Sequence, residues 1–264
     1  MDLGLQGKVV LVTGGSRGIG RAIALTSAAE GANVAICARG QESLENTLAA
    51  LRIQNVQAFG QVVDVTQKGE IERFIAASAD ALGGVDILVN NVGGSKGKGL
   101  LDSTDEEWVG TFDLNLFHTV RASRAAVPYM QQRGGGSIVV ISSISGYKPS
   151  PSVQYGSAKA AEIFLSQALA LELAPMHIRV NTICPGSVLF PGGGWERTRE
   201  RHPERFEQFQ AEEFPFGRLG TPEEIARVVV FVASPAGSWV NGAMIPVNGA
   251  QQQPAAFQKG PVWR

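Results

Sequence analysis

Seven short apolar runs alternate along the chain with longer segments in which apolar residues recur every three or four positions. The runs, such as KVVLVT and GSIVVIS, are nearly continuous stretches of aliphatic residues. This pattern is typical of strands that are buried on both faces of a sheet. We therefore predict seven strands, at residues 8–13, 33–38, 57–65, 85–90, 136–142, 177–183 and 243–247.

The longer segments have helical periodicity, and some of them begin with recognisable start signals. Thr221-Pro222-Glu223-Glu224 combines an N-cap residue, a proline at the first helical position and acids in the first turn. Because strands and helices alternate throughout, we predict one α/β domain of the Rossmann type, doubly wound, with a seven-stranded parallel sheet and helices on both faces. The predicted helices span residues 18–30, 41–54, 67–82, 105–133, 153–174 and 222–233.

Two segments depart from this alternation. Residues 187–217 are glycine-rich and then charged, and they follow the strand at 177–183, where a lid over a ligand would lie. The tail at 251–264 has no periodicity. We expect it either to fray or to be pinned to a neighbouring subunit by Phe257 and Trp263.

Composition narrows the possible partners. The formal net charge is −1, so no overall field favours nucleic acid or an anionic membrane. The two cysteines, Cys37 and Cys184, lie in apolar runs without a CxxC pair or a Cys/His cluster. We therefore expect reduced, buried thiols in a cytoplasmic protein without a metal site. The first residues lack the apolar core of a signal peptide, and no apolar run reaches the roughly 18 residues of a membrane helix.

The stretch TGGSRGIG, residues 13–20, follows the first predicted strand and opens the first helix. In a parallel sheet, the backbone N–H groups at this place face the pyrophosphate of a dinucleotide. The spacing Gly14-xxx-Gly18-x-Gly20 differs from GxGxxG, and a purely structural turn also needs glycine. The position between strand and helix favours dinucleotide binding.

The second strand ends in CARG, which bears on the choice of dinucleotide. An acid usually stands at this place to bind the ribose 2′-hydroxyl, but here Ala38 replaces it and Arg39 follows. A guanidinium can bind a 2′-phosphate that a carboxylate would repel. Arg17 can approach the same ribose, so we predict NADP(H) over NAD(H). The alternative is that both arginines are solvated surface residues.

The sequence YGSAK places Tyr155 and Lys159 on one face of a predicted helix. An ammonium beside a phenol favours the phenolate, which makes the tyrosine a candidate general acid and base. Ser142 and Ser143 end the preceding strand, where ligands of parallel sheets collect. A serine hydroxyl there could bind a substrate oxygen, although Ser143 could equally cap a turn.

Taken together, these motifs resemble those of the short-chain dehydrogenases/reductases, and the resemblance covers residues 5–250. TGGSRGIG, Asp64, NNVG (90–93), DLNL with Asn115, ISS, YGSAK and CPG (184–186) occur in the family's order. The chain is most similar to the 3-oxoacyl-carrier-protein-reductase-like branch. The resemblance implies an enzyme that transfers a hydride between NADP(H) and a small-molecule ketone or secondary alcohol.

The same resemblance assigns four catalytic residues. Tyr155 is expected to give the proton to the carbonyl oxygen in reduction, and Lys159 to favour its phenolate and hold the nicotinamide ribose. Ser143, rather than Ser142, is expected to orient the substrate oxygen. Asn115 is expected to hold a water that links Lys159 to solvent.

Cofactor contacts are implied along the whole carboxyl edge of the sheet. Asp64 and Val65 are expected to meet the adenine, Asn90 and Gly93 to line the ribose, and the segment from Pro185 to Val188 to close over the nicotinamide amide. The full implied set is Gly14, Ser16, Arg17, Gly18, Ile19, Gly20, Arg39, Asp64, Val65, Asn91, Gly93, Tyr155, Lys159, Pro185, Gly186 and Val188.

The chain departs from the family pattern at several places. Val92 stands where alanine is usual, Ala158 where serine is common, and Asn248 replaces an acid. Phe190 stands where a threonine often contacts the carboxamide, which puts that contact in doubt. We expect the substrate pocket to be lined by Gly94, Ser95, Ser145, Gln154, Phe190 and Trp195.

Two further functions and the state of assembly stay open. A sugar, polyol or steroid alcohol dehydrogenase would carry the same motifs. A non-enzymatic NADP(H)-binding sensor or assembly module would not need the phenol of Tyr155, so the set of Asn115, Ser143, Tyr155 and Lys159 argues against it. The helices at 105–133 and 153–174 have apolar residues on more than one face, Phe164 among them. The family pairs these helices between subunits, which implies a homotetramer or at least a dimer. Glu162 is either an interface group or an exposed one.

Overall fold

One seven-stranded parallel sheet forms the centre of the molecule. The computed structural model describes residues 2–97 and 99–252. The strand order is β3-β2-β1-β4-β5-β6-β7, so the chain reverses its direction of travel across the sheet between β1 and β4. This arrangement confirms the predicted Rossmann-type, doubly wound α/β class. The strands are β1 (Val9–Thr13), β2 (Asn33–Ala38), β3 (Ala58–Val62), β4 (Ile87–Asn90), β5 (Gly136–Ile141), β6 (Ile178–Pro185) and β7 (Met244–Val247).

Helices cover both faces of the sheet because alternate strand residues point to opposite sides. In β1, Val10 and Val12 pack against α1, α2 and α9, whereas Val9 and Leu11 pack against α3, α5 and α6. The helices are α1 (Gly18–Ala29), α2 (Gln41–Arg52), α3 (Glu70–Leu82), α4 (Asp105–Phe112), α5 (His118–Gln132), α6 (Val153–Leu173), α7 (Gly194–Arg201), α8 (Pro203–Glu213) and α9 (Pro222–Ala233).

The prediction that every strand is buried on both faces is wrong for the two edge strands. Side chains of β3 and β7 are only partly covered, and Val62 is exposed. An edge strand has a neighbour on one side only. The interior strands are buried almost throughout, as predicted.

A π-helical turn, Asp113–Phe117, interrupts the helix predicted at 105–133 and separates α4 from α5. The turn contains Asn115, whose Nδ2 donates to the carbonyl oxygens of Gly94 and Thr111, each at 2.7 Å. Such turns insert one extra residue into a helix and are frequent at functional sites. The backbone stays helical across the predicted segment, and the π-helical turn inside it is a feature that the periodicity did not predict.

The segment at 187–217 contains α7 and α8. Trp195 stacks on Phe209 with ring centroids 4.5 Å apart, and Phe206 and Phe214 complete a small aromatic cluster. The segment thus has a local apolar core, separate from the two cores on the two faces of the sheet. Of the predicted tail, residues 253–264, with Phe257 and Trp263, lie outside the described residues. Within the described part of the chain, none of the helices has the length and apolar character to cross a membrane.

Candidate active site

The glycine turn between β1 and α1 is packed so closely that side chains are excluded. A Cβ at Gly20 would overlap the Gly14 carbonyl oxygen and lie 2.5 Å from Asn91 Nδ2. Gly14 itself has a φ of 67°, a left-handed conformation that favours glycine. Asn91 fixes the turn because its Nδ2 donates to the carbonyl oxygens of Thr13 and Gly14. The first N–H groups of α1 consequently face the carboxyl edge of the sheet, where a phosphate can bind them.

A cleft runs along this edge at the reversal of strand order. That is the position at which open α/β sheets bind their ligands. Its glycine floor and its two arginines fit a dinucleotide. The predicted cofactor residues that line it are Gly14, Ser16, Arg17, Gly18, Ile19, Gly20, Arg39, Asp64, Val65, Asn91 and Gly93.

The adenosine end of this cleft is electropositive. Arg17 and Arg39 are both exposed and both line the cleft. Burial alone would raise the pKa of Asp64, but hydrogen bonds from Thr66 and the nearby charges of Arg39 and Lys96 hold it below its usual value. Asp64 is therefore an anion that its neighbours already compensate. A further negative group near the arginines would meet little net repulsion.

The other predicted cofactor residues, Tyr155 and Lys159 among them, do not line this cleft. Asn90 is buried in the sheet, where its Nδ2 donates to Ser123 Oγ, and it does not line the cleft. Pro185, Gly186 and Val188 are also absent from the cleft wall. Val188 forms a bridge to Gly220, and Asn248 and Gln251 cover Gly186.

Phe190, which we expected in the substrate pocket, lies against the glycine turn instead. A Cβ at Gly18 would lie 2.7 Å from the tip of the Phe190 ring, and the ring lines the dinucleotide cleft. The chain turns back at Gly193, whose N–H donates to the Phe190 carbonyl oxygen at 3.0 Å. The ring therefore shields the site that the sequence predicts for the pyrophosphate.

The two serines at the end of β5 have different partners. Ser142 is buried, and its hydroxyl donates to the Lys159 carbonyl oxygen at 2.8 Å. Ser143 Oγ accepts the Ser145 N–H at 3.1 Å, which leaves its own hydroxyl proton available to an incoming oxygen. Ser143 thus caps a turn and can also bind a ligand.

Tyr155 and Lys159 meet on one face of α6, one turn apart. Lys159 Nζ lies 5.7 Å from the centre of the Tyr155 ring. A Cβ at Gly93 would lie 2.8 Å from both Lys159 Nζ and Asn115 Oδ1, so Gly93 joins these groups to the dinucleotide cleft. A phenol beside a fixed cation, at the end of such a cleft, can exchange a proton with a bound oxygen.

Lys159 and Glu162 form a buried ion pair that the sequence analysis did not predict. Lys159 Nζ lies 2.9 Å from Glu162 Oε2, and both side chains are almost completely buried. Neither alternative for Glu162, an interface group or an exposed one, is correct. The spacing of the two residues could have predicted this pair, because residues three apart on a helix share a face.

Of the remaining residues expected around the substrate, all but Trp195 lie near the start of α6. Gln154 is buried and donates to Ser103 Oγ, so it holds the loop after β4. Ser95 Oγ shares a hydrogen bond of 3.1 Å with Ser152. Trp195 belongs to the aromatic cluster of the 187–217 segment. Among these expected residues, Ser145 and Gly94 contact the catalytic candidates, through Ser143 and Asn115 respectively.

Comparison with known proteins identifies the family. The family model described as short chain dehydrogenase matches residues 8–199. The dehydrogenase/reductase SDR family member 4 of Sus scrofa is 36% identical over 250 residues, which is 93% of this chain and 87% of that protein.

Solved structures agree in fold. L-sorbose reductase from Gluconobacter frateurii, complexed with NADPH and L-sorbose, has a TM-score of 0.89 at 34% identity and covers 95% of this chain and 98% of its own. A 7α-hydroxysteroid dehydrogenase complexed with NADH and 7-oxo glycochenodeoxycholic acid also has a TM-score of 0.89, at 33% identity, covering 97% and 98%. The chain is thus an NAD(P)-dependent oxidoreductase of alcohol and carbonyl groups and belongs to the short-chain dehydrogenase family.

Proposed function

We propose that the protein is an NADP(H)-dependent reductase of ketones, and dehydrogenase of the matching secondary alcohols, with Tyr155 as general acid and base. The observation that carries this proposal is the Tyr155 ring beside the buried Lys159 ammonium, next to Gly93 at the end of the dinucleotide cleft. When bound, the nicotinamide supplies or accepts the hydride. Side chains of the protein orient the substrate and transfer the proton.

In reduction, the Ser143 hydroxyl donates to the substrate oxygen and orients it. Tyr155 transfers its phenolic proton to that oxygen as negative charge develops there. Lys159 stabilises the phenolate left behind and holds the ribose of the cofactor. Asn115, fixed by Gly94 and Thr111, keeps the π-helical turn beside the lysine so that water can return a proton.

A Tyr155→Phe variant tests this assignment. It should bind NADPH within about threefold of the wild type but lose at least about 100-fold in kcat, since a ring without a hydroxyl cannot transfer a proton. NADPH consumption with a panel of ketones, and oxidation of the matching alcohols, provides the measurement. A variant with near-normal turnover contradicts the assignment, and wild-type binding without turnover on any compound favours the non-enzymatic alternative.

The preference for NADP(H) rests on Arg17 and Arg39 in a cleft that has Ala38 in place of an acid. Similar structures carry NADPH in one case and NADH in another, so the family leaves the choice open. We expect Arg39→Ala to raise KM for NADPH by about tenfold or more and to leave KM for NADH nearly unchanged. Equal or better use of NADH by the wild type contradicts the preference.

For the substrate we propose a ketone of the 3-oxoacyl type, as the motif pattern resembles that branch. The names of the similar structures refer to a sugar and a bile-acid derivative, so a sugar, polyol or steroid alcohol is the second candidate. The ketone panel should therefore contain all of these classes. The class with the highest kcat/KM decides between them.

The proposal includes the state of the protein in the cell. Exposed apolar side chains on α6 and the adjoining π-helical turn support a homotetramer, or at least a dimer, as the working form. Both cysteines are free and buried, which supports a reducing compartment such as the cytoplasm. The segment at 187–217, with its own aromatic cluster, is proposed as the lid.

A further inference from the structure

Burial makes the Lys159–Glu162 pair costly unless each charge has a partner. The two side chains are exposed by 2% and 1%, and Nζ and Oε2 lie 2.9 Å apart. Lys159 Nζ also donates to the Ile141 carbonyl oxygen at 2.9 Å. Lys159 Nζ therefore has an ion-pair partner in Glu162 and a hydrogen-bond acceptor in Ile141, and an N–H donor remains for a ligand. Removing one member of such a pair strands the other charge.

The groups packed around the pair cannot replace the carboxylate. His118, on α5, has its pKa lowered to about 3 by burial and by the charge of Lys159, so it is neutral near pH 7. Burial raises the pKa of Cys184, on β6, to about 12, so its thiol stays protonated. The hydroxyls of Thr119 on α5 and Tyr155 on α6 face the pair, whereas that of Ser142 donates to the backbone oxygen of Lys159.

We propose that Glu162 is a positioning residue that keeps Lys159 charged and directed towards the nicotinamide ribose and Tyr155. This inference rests on the proposed function, in which Lys159 holds the ribose and stabilises the phenolate. In this role Glu162 contacts neither the ribose nor the Tyr155 phenolate and acts through Lys159. The carboxylate supplies the opposite charge, and its place one turn along α6 fixes the direction of the ammonium.

The effect of the pair on protonation has a definite sign. Burial alone would lower the pKa of Lys159, but the Glu162 carboxylate, together with Tyr155 and Cys184, offsets this and holds the pKa above its ordinary value. Burial raises the pKa of Glu162, and the lysine charge partly offsets that rise. Without the carboxylate, burial dominates at Lys159 and the ammonium loses its proton at a lower pH.

The test is the pH dependence of NADPH binding, measured by cofactor fluorescence between about pH 7 and about pH 9.5. Wild-type affinity should stay flat over this range. In Glu162→Gln, affinity should fall by about tenfold or more as Lys159 deprotonates. At the upper limit it should approach that of Lys159→Met, whose weak binding should not depend on pH. The matched control is Ser166→Ala, a buried α6 residue that bonds only to the Glu162 backbone oxygen among the contacts described.

Parallel pH profiles for Glu162→Gln and the wild type overturn the proposal, since a merely structural role would shift the affinity equally at every pH. The kcat profile should show the same loss at high pH. Glu162→Asp, which keeps the charge, should restore a flat profile at reduced affinity. The main measurement is NADPH binding, which needs no substrate. Failure to find a substrate would therefore contradict the proposed function but would not affect this test.

If Glu162→Gln does not fold, the wild-type protein can still decide the matter. The ¹⁵Nζ signal of Lys159, assigned by its disappearance in Lys159→Met, should remain that of an ammonium up to a pH above its ordinary pKa of 10.5. Deprotonation well below that value would show that Glu162 does not hold the charge and would overturn the proposal.

Discussion

At the scale of single residues, the close packing at Gly20 explains why the turn needs glycine whether or not a dinucleotide is bound. The overlap that a methyl group would make is with backbone, at the Gly14 carbonyl oxygen, and a backbone cannot swing aside as a side chain can. Gly20 also lies in the first turn of α1, where the free N–H groups of the helix can bind a phosphate. Stability and phosphate binding are therefore coupled at this residue.

We expect Gly20→Ala to lower the free energy of unfolding by at least about 2 kcal/mol, because overpacking would separate Asn91 from the turn. NADPH affinity should fall as well. Urea denaturation and fluorescence titration measure the two effects. The control is Gly99→Ala, whose added Cβ would have no atom within 4 Å and should change neither. An equally small effect at both glycines would contradict the packing argument.

Residue types and spacing were enough to predict the glycine turn and the Tyr155–Lys159 pair, because each lies within a few residues of sequence. They also placed Arg17 and Arg39 at the cleft, because each lies between the end of a strand and the next helix. They were not enough for Glu162 or Phe190. The surroundings of Glu162 depend on α5, which brings His118 and Thr119 from more than forty positions away. The position of Phe190 depends on how the 187–217 segment folds back at Gly193.

At the scale of elements, the N-cap predicted from Thr221-Pro222-Glu223-Glu224 at the start of α9 is confirmed, and the structure shows that it is a full capping box. Thr221 Oγ1 accepts a hydrogen bond from the Glu224 N–H, and the Glu224 carboxylate accepts one from the Thr221 N–H. The same carboxylate forms an ion pair with Arg218. The π-helical turn was not predictable, because residues 113–117 have the same apolar periodicity as the helices beside it. Tertiary contacts from Asn115 to Gly94, not propensity, stabilise the turn.

Glu224 should make the stability of the protein depend on pH in the acid range. Hydrogen bonds from Arg218 and Thr221 lower its pKa from 4.5 to about 2. A lowered pKa means that the stabilisation is complete above pH 4.5 and is lost as the pH falls towards 2. Since the ion pair is partly exposed, we expect Glu224→Ala to cost only about 1 kcal/mol at neutral pH.

Urea unfolding at neutral pH and at successively lower pH values measures this difference. The gap between Glu224→Ala and the wild type should narrow as the pH falls towards 2, where about half of the wild-type Glu224 carboxyl groups are protonated. Glu223→Ala, at an exposed position in the same turn, is the control and should show a smaller, more uniform effect. A gap that stays constant down to the lowest pH would contradict the role of the Glu224 charge.

At the scale of the whole molecule, the alternation of strands and helices was sufficient to predict the sheet, since parallel strands need helical crossovers. What it could not predict is which helix faces stay uncovered in one subunit. Phe164 is 74% exposed and Leu171 is 81% exposed, two turns apart on α6, and Phe117 is exposed on the π-helical turn beside it. Ala122, an apolar residue of the segment at 105–133, is by contrast fully buried in the core of the subunit.

Exposed aromatic and aliphatic residues at this spacing lie on one face of α6, and an apolar stripe of this kind marks contacts with other chains. A self-complementary stripe on a helix suits a two-fold axis, at which the same residues of two copies meet. We therefore expect the oligomer to depend on Phe164. Phe164→Lys should place like charges opposite each other at that axis and shift the protein to a smaller assembly.

Light scattering coupled to size-exclusion chromatography measures the change in mass, and thermal unfolding shows whether the subunit itself survives. Ile53→Lys is the matched control, because Ile53 is as exposed as Leu171 but follows α2 on the opposite face of the sheet. It should leave the mass unchanged. A wild-type monomer, or a Phe164→Lys protein of unchanged mass, would contradict the interface. If the smaller assembly forms but turnover falls, the contact between α6 helices also supports the site, because Tyr155, Lys159 and Phe164 lie on the same helix.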